Sequence, residues 1–239
     1  EREVFPADLL GYRVAAMREL FEEAGVLLAY RKEGTPLRYL DEPERKKFAI
    51  YRQELNAGQI TFHQLLSQEN LSLALDNFFY YTHWITPVAR PIRFDTRFFV
   101  AVHPSGQEAS PDQAETTDGI WIAPRAALEA NIAGTLPLSP PTLKTLEDVA
   151  SYGTLQSFLA SLGHAEKKIA VLPVLIKIAG EDVLIFPWDP DYEKCRKGAL
   201  PQSDPEVSDV RPSSPSDNTT RLIYQRGRWL PFVKEPDHS

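Results

Sequence analysis

Arg18-Glu19-Leu20-Phe21-Glu22-Glu23-Ala24-Gly25-Val26 is the stretch from which the rest of the chain is best read. Its three carboxylates stand at i, i+3 and i+4, and in a helix those spacings put Glu19, Glu22 and Glu23 on one face. Like charges so placed repel, so a helix gains nothing for its own stability by gathering them. A hard divalent cation removes the objection, because Mg²⁺ or Mn²⁺ takes carboxylate oxygens and leaves positions to water and to substrate phosphates. A solvated acidic face is the plainer alternative. Upstream, Asp8 is a plausible N-cap, and Leu9, Leu10, Val14, Met17, Leu20, Phe21 and Ala24 recur at helical spacing until Gly25 supplies a stop. The pattern predicts a helix over 8–24, on which Arg18 can reach Glu22 one turn on and hold it in place. Val26-Leu27-Leu28-Ala29-Tyr30 then reads as a short buried strand.

From Arg18 to Val26 the residues match every specified position in the second half of the Nudix box, G-x5-E-x7-R-E-U-x-E-E-x-G-U with U apolar, and the chain resembles that family. Average residue usage would give this string by chance on the order of 10⁻⁵ times in a chain of such length. The first half of the box departs from the pattern: its Glu falls at Leu10 and its Gly at Val4. The resemblance implies an α/β fold, the Nudix α/β/α sandwich with a mixed sheet and with strands ahead of the box helix. Phe5-Pro6 looks like the end of such a strand, yet Pro6 runs into Ala7-Asp8 where relatives have a Phe-Pro-Gly-Gly turn. Residues are therefore expected to be missing before Glu1 and between Pro6 and Ala7, with a genuine truncation as the alternative.

The 239 residues, 43% of them hydrophobic, suit one large globular domain or a domain with an elaborated end. No apolar run approaches a bilayer span and no signal-peptide pattern opens the chain, which points to a soluble protein. A single cysteine, Cys195, excludes an internal disulfide framework and a cysteine-rich zinc site and fits a reducing, cytoplasmic compartment. Its surroundings read as a polar loop. Net charge −7 argues against a general nucleic-acid or anionic-membrane binder while leaving room for a local basic pocket.

Asp41-Glu42-Pro43-Glu44 opens a helix that runs through Phe48, Tyr51 and Leu55 to Gly58, and Thr61 caps a second as far as Ser67. These helices, within 41–69, read as an insertion that shapes a substrate or partner surface. His63 there has no second His or Cys at metal spacing and reads as a surface or packing residue. Residues 78–86 (FFYYTHWIT) and 93–102 (RFDTRFFVAV) read as paired strands. Trp84-Ile85-Thr86-Pro87, Arg93-Phe94-Asp95-Thr96 and Phe98-Phe99, followed by Pro104, Gln107 and Glu115, resemble one Nudix subgroup. That subgroup is the coenzyme A diphosphatases of the peroxisomal type and their bacterial relatives. Residues 103–118 form a polar loop, 119–122 a further strand, and Pro124, Pro140-Pro141 and Thr154 start helices. Lys168–Ile178 and Asp182–Phe186 make a hairpin about Ala179-Gly180-Glu181. Residues 196–220, rich in Pro, Ser and Asp, read as a mobile linker closing a Nudix domain of 1–195, and 221–239 as a terminal hairpin and tail.

The resemblance implies a hydrolase that cuts a nucleoside diphosphate derivative, with coenzyme A or an acyl-CoA the substrate that the subgroup suggests. Glu19, Glu22 and Glu23 would hold Mg²⁺ or Mn²⁺, and Glu115, or Glu19 when not ligating, would take the proton. Glu108 and Asp118 are alternatives to Glu115. Arg90, Arg93 and Arg97 are dense enough to supply a cation for a 3′-phosphate, although Asp95 between two of them favours a structural ion pair equally well. Trp84 and Phe94 suit adenine stacking or core packing, and His83 suits a ligand contact or a local hydrogen bond. Leu10 at the first box Glu supports a different reading, a non-catalytic Nudix-like module that binds a nucleotide or a protein. The oligomeric state is not legible.

Overall fold

The computed structural model describes residues 7–112, 119–162, 169–199 and 219–232. They divide into two compact units, with cuts after Tyr81, Phe98 and Trp121, so that the first holds the segments up to Tyr81 and from Phe99 to Trp121 and the second the rest.

In the first unit, helix α1 spans Ala7–Ala24 and ends where Gly25 takes a left-handed backbone, φ 70°, its N–H bonding Phe21 O at 3.0 Å. Met17 and Phe21 are its most deeply buried side chains. After it come β1 (Ala29–Tyr30), α2 (Glu42–Asn56), α3 (Phe62–Gln68) and β2 (Ser72–Leu73), with β1 and β2 antiparallel. The two helices begin as their sequence predicts: Asp41 accepts from Glu44 N, and Thr61 forms a reciprocal capping box with Gln64. They are not confined to a surface role. Phe48 and Leu55 of α2 and Phe62 and Leu65 of α3 form one apolar core with Phe21, Leu27, Ala29, Leu37 and Tyr39. A second cluster joins Met17, Val26 and Leu28 to Phe78, against which Phe99 stacks.

The strand expected over 26–30 is reduced to Ala29–Tyr30. Val26, Leu27 and Leu28 are buried, but the backbone of Leu27 finds a side chain instead of a neighbouring strand. Buried Gln107 accepts from Leu27 N at 2.8 Å and donates to Leu27 O at 2.9 Å and Leu37 O at 3.0 Å. One amide thus does for that turn of chain what a ladder would do. The strand expected at 119–122 does not form: Ile120 and Trp121 are exposed, with Trp121 edge-on to His103 at 5.1 Å.

Strands β3 (Phe78–Ile85) and β4 (Asp95–Ala101) pair as predicted. In the second unit, α4 (Pro124–Ala133), α5 (Pro140–Ser151) and α6 (Leu155–Ser161) precede β5 (Val174–Ile178), β6 (Glu181–Ile185), α7 (Tyr192–Arg196), β7 (Arg221–Gln225) and β8 (Arg228–Phe232). The sheet is an antiparallel meander in the order β5-β6-β7-β8. Ala179-Gly180 and Arg226-Gly227 turn its two hairpins with positive φ at both residues, the geometry that matches strand twist. β5 starts later than the apolar run suggests because Pro173 has no N–H to give a ladder. Just before it, Val171 makes a parallel bridge to Trp84. Trp84, Leu143, Leu184, Phe186 and Leu222 build the core beneath the sheet. Cys195 is not in a polar loop: α7 turns it inward among Ile178, Val183, Ile185 and Ile223, where burial pushes its thiol pKa up. Most of the linker expected at 196–220 falls at 200–218, outside the described residues.

Candidate active site on the first helix

Helix α1 carries Arg18, Glu19, Glu22 and Glu23 through its last two turns, as the spacing predicts. Arg18 Nη1 donates to Glu22 Oε1 at 3.1 Å, and Nη2 lies 3.7 Å from Glu19 Oε1. The Glu22 carboxylate is thereby held down, 18% exposed, while that of Glu19 stands 57% in solvent. Glu23 is half-buried. Leu10, where the box would have its first Glu, is exposed two turns earlier. Among the described residues no group of three or more His, Cys, Asp or Glu is gathered closely enough to hold a metal ion. The three glutamates nonetheless fit a hard divalent cation in donor type, all oxygen, and in sharing one helical face.

The C-terminal end of α1 is closed by residues from α2 and from the loop at 107–112. Arg52 of α2 donates through Nε to Glu22 O at 2.9 Å and through Nη2 to Glu23 O at 2.6 Å. The same guanidinium reaches Ser110 Oγ at 3.2 Å and Ser110 O at 3.0 Å, and Ser110 N donates to Ala24 O at 2.9 Å. Asn56 Nδ2 adds a bond to Glu22 O at 3.3 Å. Burial pulls the Arg52 pKa down, opposed by the charge of Asp112 and by Tyr39. Beside these groups lies a cavity of about 360 Å³, lined among others by Phe21, Phe48, Arg52, Glu108 and Asp112.

Glu115 and Asp118, two of the candidate bases, lie outside the described residues, as does the junction Pro6–Ala7 where a chain break was expected. Glu108 is exposed at the cavity. The arginine candidates fall in the second unit, each engaged locally. Arg97 pairs with Asp95 at 3.0 Å, Arg93 Nε bonds Thr86 O at 2.9 Å, and Arg90 pairs with Asp182 at 3.1 Å. His83 also bonds Asp95, and that bond, helped by Arg97, holds the Asp95 carboxyl below its ordinary range. Trp84 is buried edge-on against Phe186, Phe94 is exposed, and His63 is at the surface. The Trp84-Ile85-Thr86-Pro87 segment lines an apolar cavity of about 220 Å³ with Arg90, Thr96 and Leu184.

Arg52, Asn56, Gln107 and Ser110 are the residues that sequence reasoning passed over as parts of the site. One signal was available for Arg52: with Phe48 and Leu55 it stands at i, i+4 and i+7, a charge on the buried stripe of its helix.

A carboxylate helix closed by glycine, with Arg18 folded onto Glu22, on a fold of helices and antiparallel sheets, defines a Nudix domain. The profile of the NUDT19 Nudix domain matches residues 1–149, and the chain belongs to that family. Among curated proteins it is similar to acyl-coenzyme A diphosphatase NUDT19 of Xenopus laevis, 26% identical over 75% of this chain and 52% of that one. The protein of the same name in Homo sapiens is 29% identical over 78% of this chain and 52% of the other. The chain thus spans about half the length of these two relatives. Among solved structures it is similar to a NUDIX hydrolase from Alicyclobacillus acidocaldarius, with 27% identity and a TM-score of 0.54, covering 66% of this chain and 69% of that one.

Proposed function

We propose that this chain is a divalent-metal-dependent Nudix diphosphatase that cuts coenzyme A or an acyl-CoA at its diphosphate, leaving 3′,5′-ADP and a 4′-phosphopantetheine product. The observation that carries the reading is the box helix itself, formed through Glu19, Glu22 and Glu23, in a chain similar to two proteins named acyl-coenzyme A diphosphatase. Glu19, Glu22 and Glu23 would hold Mg²⁺ or Mn²⁺. When bound, such an ion lowers the pKa of water and neutralises charge on diphosphate oxygens. Arg18 fixes the rotamer of Glu22 through a charge-assisted hydrogen bond, so that one donor is set in advance. Glu115, or Glu19 when it is not a ligand, would take the proton from the attacking water; Glu19 stands exposed on the helix face.

The test is kcat/KM for coenzyme A and an acyl-CoA against 3′-dephospho-coenzyme A, ADP-ribose and NADH, with Mg²⁺ or Mn²⁺ present. Preference for the 3′-phosphorylated substrates is expected. Preference for ADP-ribose or NADH, or indifference to the 3′-phosphate, removes the coenzyme A assignment and leaves the diphosphatase. The exposed Leu10 in the place of a box Glu favours the second reading, a non-catalytic nucleotide- or protein-binding module. Absence of metal-dependent turnover of all these compounds, with nucleotide binding retained, would establish it.

A further inference from the structure

We infer that Arg52 of the inserted helix α2 is a positioning residue for the carboxylates of α1, setting the backbone of Glu22 and Glu23 against the loop at 107–112; this rests on the metal-dependent reading above. The last carbonyls of any helix lack intrahelical partners and carry partial negative charge. In α1 that end also bears three glutamates, the sign that a helix C-terminus least favours, and its own last turn contains no basic residue. The missing cation comes from another element. Arg52 lies 29 and 30 residues along the chain from Glu23 and Glu22, and its planar fork takes both carbonyls at 2.6 and 2.9 Å.

The same fork ties in the loop. Arg52 binds both the hydroxyl and the carbonyl of Ser110, while Ser110 N closes on Ala24 O. Gln107 anchors the other end of that loop to Leu27 and Leu37. Glu108 and Asp112 ride on the segment so fixed, at the cavity. The box glycine belongs to the arrangement as well: a Cβ on Gly25 would stand 3.0 Å from Arg52 Nη1. A single guanidinium therefore couples two of the candidate ligands to the loop at 107–112. A lysine keeps the charge but has one nitrogen in place of the fork, so it cannot bond Glu22 O, Glu23 O and Ser110 together in this geometry.

The experiment compares the full chain with Arg52→Lys and Arg52→Gln, well below the unfolding temperature of each. It reads Mn²⁺ affinity by equilibrium binding without substrate, kcat and KM for coenzyme A, and amide exchange at 22–25 and 108–112. Arg52→Gln is expected to weaken Mn²⁺ binding and lower kcat by about 10–100-fold, the usual cost of losing a partner that orients metal ligands. KM should change little, exchange should accelerate in both segments, and Arg52→Lys should fall between. A purely structural arginine would lower the melting temperature and leave the Mn²⁺ affinity of the folded protein where it was. Affinity and kcat unchanged in both variants, or failure of both to fold, overturns the inference. A wild-type chain that binds no Mn²⁺ and hydrolyses no coenzyme A overturns the functional reading, and the positioning role with it.

Discussion

Gly25 answers to two demands at once. Its φ of 70° lies in the left-handed region, and its missing Cβ leaves room for Arg52 Nη1. An L residue there costs about 1–2 kcal/mol from the backbone alone, and crowding of the guanidinium adds to it. Gly25→Ala is expected to lower the unfolding free energy read from urea denaturation by that amount or more, and an unchanged value would mean that the turn relaxes freely. The carboxylates beside it were legible because their spacing is a property of one helix and needs no knowledge of the rest of the fold. So was the contact of Arg18 with Glu22, one turn away. Arg52 was not legible as a partner, because its carbonyl acceptors look alike in every sequence and only the fold brings them near. Gln107 is legible only as a position of the subgroup resemblance; its partners, 70 and 80 residues away, are hidden for the same reason.

Helices α2 and α3 show where an element's existence is easier to read than its role. Their caps and apolar stripes place the starts within a residue, while the share that Phe48, Leu55, Phe62 and Leu65 take in the core shows only in the fold. Leu65 is fully buried. Leu65→Ala is accordingly expected to cost about 2–5 kcal/mol in chemical denaturation, the range for a deleted core leucine. A change below about 0.5 kcal/mol would return the helices to a surface role. The strands are the opposite case. Apolar runs at 26–28 and 119–122 have the composition of strands, but a strand needs a partner, and among the described residues one run pairs with a glutamine side chain and the other stays exposed. The charged residues flanking Cys195 disguised α7, whose helical period puts Tyr192 and Cys195 together on the buried side.

At the scale of the whole chain, each unit has its own core, and no helix among the described residues is long and apolar enough to cross a membrane. The second unit holds a buried charge cluster in which Arg221 bonds Asp189 at 2.6 and 2.8 Å and Asp191 at 2.7 Å. Burial opposes the ionisation of Asp189, but the bonds from Arg221 and the backbone of Asp191 outweigh it and hold the carboxyl below its ordinary value. For Asp191 the bond from Arg221 is itself the largest influence, in the same direction. Carboxyls so depressed contribute stability that is fully present above the unfolded pKa, about 4, and lost as pH falls through the folded values. Asp189→Asn is thus expected to cost about 3–5 kcal/mol at pH 7 and less as the pH drops below about 4. A loss as large below pH 4 as at pH 7 would show that the carboxylate charge is not its cause. The glutamates of α1 are proposed to serve a metal and not the fold. The most direct measurement is a Mg²⁺ titration of coenzyme A hydrolysis by the wild-type chain and Glu23→Gln, with unfolding followed on the same samples. Saturable, metal-dependent hydrolysis by the wild type is expected, together with its abolition in Glu23→Gln at a metal-free stability equal to or slightly above wild type, since one repelling charge is gone. Normal Mg²⁺-dependent activity in the variant, or its failure to fold, would contradict that claim.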